Sequence, residues 1–422
     1  MNSTLRIIVT GLVGLYPVGG VAWDYLQYMI GLANLGHDVY YYEDTWSWPY
    51  HPIEKQYTDN GTYSAQYIAN FFNCYAPELK ERWYYFHLHE TSFGMTRAAF
   101  DQVAKTANLF FNISGACLIP DRLAPDCVKV FVDTDPGYNQ IVFSERFPWS
   151  KDVENWCQNV LIHDKYFTYA ENIHGEDCLV PRLNFDWKTT RMPIVTKLWR
   201  LPDSERHLSN GLNWTTVMSW NAFKGKLIYQ GVEYKSKDAE FEKFISLPQH
   251  VNVPFLIAVG GITTRWKWFE RNNWQVVSRI LSEITRHHKF KQLERNGWQV
   301  TDGPSLSLTP HQYFNFICDS RGEFSVAKNV YVAMRTGWFS CRSACYLAAA
   351  RPVVVEDTGF KSALPTGEGI VSFSTLEEAV AAIELVESNY KSQASRALEI
   401  AEAYFDSNQV LTRMIEESFS HD

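Results

Sequence analysis

The first 43 residues constrain the fold more than any other stretch of this chain. Residues 5–10 read Leu-Arg-Ile-Ile-Val-Thr, a short β-branched run closed by glycine. The glycine-rich loop of residues 11–20 follows, with Gly11, Gly14, Pro17, Gly19 and Gly20. Residues 21–35 then place Trp23, Leu26, Met29, Ile30 and Ala33 along one side at helical spacing. Gly36-His37 ends that helix, and residues 38–43 (Asp-Val-Tyr-Tyr-Tyr-Glu) form a second strand. Strand, tight loop, helix and strand make a βαβ unit, the opening of a doubly wound α/β domain.

The pattern continues and then restarts. Further strands are predicted at 107–113, 128–132 and 166–170. Residues 181–213 hold Pro181, Pro193, Pro202 and Ser209-Asn210-Gly211, a turn-rich linker. A second series follows at 215–218, 227–229, 253–259, 298–300, 314–318, 351–355 and 369–373. Ser374-Thr-Leu-Glu-Glu378 then opens a helix with Leu376, Ala379, Val380 and Ile383 inward. The expected organisation is an N-terminal Rossmann-like domain over 1–190, a second over 191–389, and helices over 390–422 that pack back on the first.

Composition removes several classes. Lys and Arg number 39 against 47 Asp and Glu, a net charge of −8, which argues against a nucleic-acid binder. No apolar run is long enough to span a membrane. The apolar first residues lack the charged start and small-x-small site of a signal peptide, so they read as a buried strand. Eight cysteines without a CxxC pair predict reduced thiols in a cytoplasmic protein. There is no G-x-S-x-G elbow, no Walker lysine and no full G-x-G-x-x-G, which counts against hydrolase, P-loop and NAD-dependent readings. His87-x-His89 and His287-His288 lie among aromatic and basic neighbours, so no metal site is expected. Trp266, Trp268, Trp274 and Trp298 are assigned to packing. The aromatic-rich first half (Trp46, Trp48, Tyr50, Trp83, Tyr84, Tyr85, Phe86) hints at an apolar or aromatic acceptor, though a sugar polymer would stack on such rings equally well.

Three segments carry candidate chemistry. Gly14, Gly19 and Gly20 free the backbone for a ligand where a helix begins. Asp133 and Asp135 follow a predicted strand, where open α/β sheets bind ligands, and also spell D-x-D. The richest segment is 319–360, which includes Glu323, Lys328 and Gly337-Trp-Phe-Ser-Cys-Arg-Ser-Ala-Cys-Tyr-Leu-Ala-Ala-Ala-Arg-Pro-Val-Val-Val-Glu-Asp-Thr-Gly-Phe360. Ser340, Arg342 and Ser343 fall where a helix begins, so hydroxyls, open N–H groups and a guanidinium converge on one spot suited to phosphate.

A polar loop, a helix of small residues and then Pro-Val-Val-x-x-Asp-x-Gly is similar to the donor half of the GT-B glycosyltransferases. Residues 135–140, 215–220, 229–241 and 403–407 also resemble an uncommon branch of that group. The resemblance implies two Rossmann-like domains facing a cleft. It implies an acceptor in the first domain and a UDP- or dTDP-sugar in the second, with no bound metal. The donor side would comprise Ser219, Gly261, Glu323, Lys328, Ser340, Arg342, Ser343, Asp357, Thr358 and Gly359. Asp135 or Asp24 would deprotonate the acceptor hydroxyl if the reaction inverts. The widespread retaining members carry two glutamates before Pro-Val-Val. Counting back from Pro352, Gly337 and Cys345 stand there, so the ribose carboxylate is Glu323 or is missing. Cys341 replaces an expected acid, and Ala350 an expected glycine. A sugar-nucleotide epimerase on the same fold and a catalytically silent partner protein are the alternative readings.

Overall fold

The computed structural model describes residues 4–144, 151–201, 213–220, 227–260 and 275–420. Two twisted sheets organise it. The first contains β1 (Arg6–Thr10), β2 (Asp38–Thr45), β5 (Trp83–His87), β6 (Thr91–Gly94), β7 (Leu109–Ile113), β8 (Val128–Asp133), β9 (Lys165–Thr168) and β10 (Trp187–Thr189). Between β2 and β5 lies a small hairpin of β3 (Tyr50–His51) and β4 (Gln56–Tyr57). The sheet order is β10-β9-β8-β7-β1-β2-β5-β6, and every pairing is parallel except β5 with β6. Ile7, Ile8 and Val9 of β1 are fully buried, as a strand covered on both faces requires.

The second sheet contains β11 (Trp214–Ser219), β14 (Phe255–Gly260), β15 (Trp298–Asp302), β16 (Gly322–Ser325), β17 (Val353–Glu356) and β18 (Ile370–Phe373). Its order is β15-β14-β11-β16-β17-β18, parallel throughout. The segment 227–229 is a strand, β12, but it pairs only with β13 (Val232–Tyr234) in a separate hairpin. Residues 314–318, expected as a strand, are helical within Pro310–Cys318. Thr309 accepts the Gln312 N–H at 3.1 Å, and Gln312 returns a bond to the Thr309 N–H. That capping box, with Pro310 at the first helical position, outweighs the β-like Phe-Asn-Phe-Ile-Cys run.

The first helix, Gly19–Asn34, is the pivot between the halves. Trp23 packs on Phe71, Tyr75, Trp199 and Phe314, and its indole N–H donates to the Pro310 carbonyl at 3.0 Å. Gln27 is fully buried and accepts from Val195 N–H and the Trp199 indole, both at 3.0 Å. The chain's last helix, Ser407–Phe419, lies across the same pivot helix, so close that a Cβ on Gly31 would come 2.5 Å from Leu411. The predicted linker holds β10 and a helical turn, Thr196–Trp199, up to residue 201; residues 202–212 lie outside the described residues.

Candidate active site between the strand ends

A doubly wound sheet binds ligands outside its strand C-termini, where the strand order reverses. The first sheet reverses between β1 and β7, the second between β11 and β16. Between the two halves lies a cavity of about 220 Å³ whose lining includes Asp24, Ser114, Asp135, Lys328, Tyr331 and Cys341. Asp24 comes from the pivot helix, Asp135 from the loop after β8, and the last three from the second half.

The two candidate bases stand differently. Asp135 takes the Lys328 ammonium on Oδ2 at 2.5 Å and the Tyr331 hydroxyl on Oδ1 at 2.5 Å. Both oxygens are committed across the halves, which makes a firm contact. Asp24 faces the same cavity. Burial pushes its carboxyl up to about 6, against a hydrogen bond from the Cys341 thiol and the positive charge of Arg342. A carboxylate of that basicity is ionised at neutral pH and still takes a proton readily. Burial holds Cys341 in its thiol form, a neutral donor to Asp24.

Cations gather beside it. The helix Cys341–Ala348 begins at Ser340, whose side chain caps nothing. Arg342 binds Glu323 Oε1 through Nε at 2.5 Å and Ser325 Oγ through Nη2 at 2.9 Å. Ser343 Oγ donates to the other Glu323 oxygen at 2.5 Å. The sequence reading missed Lys237, in the short helix Lys237–Phe241. Its surface is only partly covered, yet protein crowds the ammonium. Burial first, then the charge of Arg342, lowers its pKa from 10.5 to about 7. Lys328 adds to that repulsion, while Glu323 and Glu356 oppose it. Lys237 sits inside the 229–241 segment that carried part of the resemblance, the signal that would have found it.

A narrow cavity joins Ser325, Ala327, Ser340, Ser343, Glu356 and Thr358 at the ends of β16 and β17. Glu356 accepts the Ala327 N–H at 3.0 Å, and burial with the neighbouring Glu240 pushes it up to about 8. Asp357 accepts the Gly359 N–H at 2.9 Å and lies 3.3 Å from Lys361. Thr358 donates to the Trp338 carbonyl at 2.6 Å. Gly359 adopts φ +96°, a turn that favours glycine. Ser219 ends β11 with its side chain exposed; Gly261, Trp266, Trp268 and Trp274 lie outside the described residues. Trp298 is buried and donates to the Ile245 carbonyl at 2.7 Å.

Several expected ligand contacts are internal instead. Glu323 is fully buried and anchors Arg342 and Ser343, so it is not placed to meet a ribose. Asp133 is fully buried and accepts from Asn139, Gln140 and Thr168 at 2.6 to 2.7 Å, so it braces the loop that carries Asp135. Gly14 and Leu15 donate their N–H groups to Glu43, at 2.6 and 2.7 Å. Gly19 donates to the Ser307 carbonyl at 2.6 Å, and a Cβ there would come 2.6 Å from the Thr309 carbonyl oxygen. Gly20 faces the Tyr313 ring. Gly19 and Gly20 let the pivot helix approach the second half, while the Gly14 N–H holds a side chain of its own half. Among the described residues no three His, Cys, Asp or Glu side chains gather as metal ligands.

The positions of the absent paired glutamates are closed. Gly337 has φ +81°, and a Cβ on it would sit 2.3 Å from the Asn172 backbone nitrogen. Cys345 is buried 3.9 Å from Gln27 of the pivot helix. The first half fills the space that two carboxylates would need.

No protein-family model and no curated protein matches the sequence. Solved structures do match the fold. Anabaena Alr3699/HepE, in complex with UDP and glucose, aligns over 99% of this chain and 100% of its own, with TM-score 0.54 at 11% identity. An alpha-glucosyltransferase, in complex with UDP and a 13-mer DNA containing a central A:G mismatch, aligns over 100% of both chains, with TM-score 0.51 at 11% identity. Sucrose-phosphate synthase from Thermosynechococcus elongatus aligns over 98% of each chain, with TM-score 0.50 at 11% identity. The fold is that of the GT-B glycosyltransferases: two Rossmann-like sheets with their strand ends facing across a cleft. No helix among the described residues is long and apolar enough to cross a membrane.

Proposed function

We propose that this protein transfers a sugar from a nucleoside-diphosphate sugar to an acceptor hydroxyl. The observation that carries the reading is the gathering of Arg342, Lys237 and Lys328 around the start of the helix Cys341–Ala348, beside the Asp24 cavity. Three cations and open helix N–H groups suit a diphosphate, and no metal is needed to neutralise it. The second half holds the donor and the first half the acceptor. Asp24 takes the proton of the acceptor hydroxyl. The acceptor oxygen bonds to the anomeric carbon as the bond from that carbon to the diphosphate oxygen breaks. The diphosphate leaves with the electron pair, its charge met by Arg342, Lys237 and the helix start. Such a single displacement inverts the anomeric carbon. The role of Asp135 is to hold Lys328 and Tyr331 across the cleft.

Thermal unfolding against UDP, dTDP, GDP, ADP and NAD, with and without Mg²⁺, tests the reading. A diphosphate at about 100 times its dissociation constant should stabilise the fold by roughly 2.7 kcal/mol. A shift with one diphosphate, unchanged by Mg²⁺, supports it. A shift with NAD alone, or none with any diphosphate, overturns it; the second result favours a catalytically silent partner.

A further inference from the structure

A second cavity, of about 490 Å³, opens in the first half at the C-terminal ends of β2 and β5. Its floor is aromatic. Tyr42, Tyr84 and Phe100 stack with ring centroids 4.7 to 6.3 Å apart, and Phe86 continues the stack from Tyr84 at 6.0 Å. Its wall is polar: Asp44, His89, Arg97, Asp101, Asp121 and Arg122 all line it. Alternation along β5 produces this arrangement. Trp83 and Tyr85 face the main core, while Tyr84 and Phe86 face the bowl.

Three further observations single the bowl out. Leu88 and His89 form the turn between β5 and β6 with φ of +50° and +59°, a conformation that favours glycine or asparagine at both positions. That turn delivers His89 to the bowl. Asp44 Oδ1 and His89 Nε2 stand 2.8 Å apart as a close polar pair, and neither atom has a hydrogen bond. Asp44 is 5% exposed, and its only hydrogen-bonded oxygen accepts from the Tyr42 hydroxyl at 3.0 Å. Lastly, Trp46 stacks on His89 at 3.7 Å while leaving 67% of its own surface in solvent. A large exposed ring at a pocket rim is a waiting contact surface.

We infer that this bowl is a second carbohydrate subsite, which binds a sugar ring of the acceptor remote from the reacting hydroxyl. The inference rests on the transferase reading. A sugar ring needs an apolar platform for its C–H face and ionised or amide groups for its outward hydroxyls. The buried floor rings are stacked on one another and Arg97 lies over Phe86, so Trp46, with most of its surface in solvent, supplies the platform, and Asp44, His89 and Arg97 supply polar groups for the hydroxyls. A flat aromatic acceptor would want a dry slot, whereas this wall is mostly charged. The loop after β7 links the two cavities: Ser114 lines the central one, and Leu118 to Arg122 wall the bowl. Asp44 lies at the C-terminal end of β2 and Asp135 just after β8, three strands apart in the sheet. At about 4.8 Å per strand that is roughly 14 Å, beyond the reach of one sugar ring. The acceptor class is therefore an oligosaccharide or an extended glycoside.

Saturation-transfer NMR with methyl α-glucoside, methyl α-mannoside, methyl β-galactoside and the flat phenol 4-methylumbelliferone tests this on the full chain. At least one glycoside should bind. Trp46→Ala, at an exposed position that leaves folding intact, and Asp44→Asn should each weaken it at least fivefold, while the thermal shift with UDP stays unchanged in both variants. Binding of the phenol alone, no binding of any glycoside, or glycoside binding that both variants retain overturns the subsite. A UDP shift without glycoside binding leaves the transferase reading standing. Glycoside binding without any nucleotide shift removes that reading and leaves a sugar-binding pocket.

Discussion

Replacing Lys237 with methionine should make the protein more stable and a worse nucleotide binder. Its pKa falls from 10.5 to about 7 because burial, Arg342 and Lys328 all disfavour the charged ammonium. The folded state thus holds this proton more weakly than the unfolded chain. The cost of folding with a charged Lys237 is full below pH 7 and fades as pH rises toward 10.5. At about 1.4 kcal/mol per tenfold change, a drop from 10.5 to about 7 corresponds to on the order of 5 kcal/mol. Partial exposure of the side chain lowers that to about 2–4 kcal/mol. Methionine keeps most of the apolar stem and removes the charge. Urea unfolding of Lys237→Met should show that gain near pH 7, shrinking steadily as pH approaches 10. Calorimetry with UDP should show the opposite sign: at least tenfold weaker binding by the variant. In the parent protein UDP affinity should fall as pH rises above 7, where the free ammonium loses its proton. An unchanged stability near pH 7 would refute the burial argument. A stabilised variant with unchanged UDP affinity would remove Lys237 from the diphosphate site.

Asp24→Asn should lower kcat by about 10²- to 10⁴-fold, the usual worth of a general base, while the thermal shift with UDP persists. The parent rate should fall as pH drops below about 6, where Asp24 takes up its proton, and a rate limb unmoved in position by Cys341→Ala, which removes the thiol that lowers this pKa, would argue against that assignment. Gly337→Ala should destabilise the fold by about 2 kcal/mol or more in urea unfolding. It places a Cβ 2.3 Å from the Asn172 backbone at φ +81°, and full stability in this variant would contradict the closed contact between the halves.

The sequence alone determined the architecture, because hydrophobic period and punctuation are local. The β-branched runs of β1, β8 and β17, the glycine breaks and the helical spacing around Trp23 fix parallel strands joined by helices, twice over. Residues 314–318 escaped because a five-residue apolar run has no readable period, and the capping bonds of Thr309 and Gln312 decided for a helix. The sequence singled out Asp24, Asp135 and Lys328, which the fold brings to one cavity, and Ser340 and Arg342, which it places at a helix start, because strand ends and helix starts have local signatures. Their roles were not legible, because roles depend on partners distant in sequence. Asp135 and Lys328 are 193 residues apart, and only the fold joins them in an ion pair across the cleft. Glu323 reads as a ligand carboxylate until β16 places it under Arg342. Lys237 acquires its shifted proton affinity from burial first and then from charges about a hundred positions further along, such as Arg342. Burial and charge proximity are properties of the assembled cleft. They decided which carboxylate burial pushes up and how little room residue 337 leaves for a side chain.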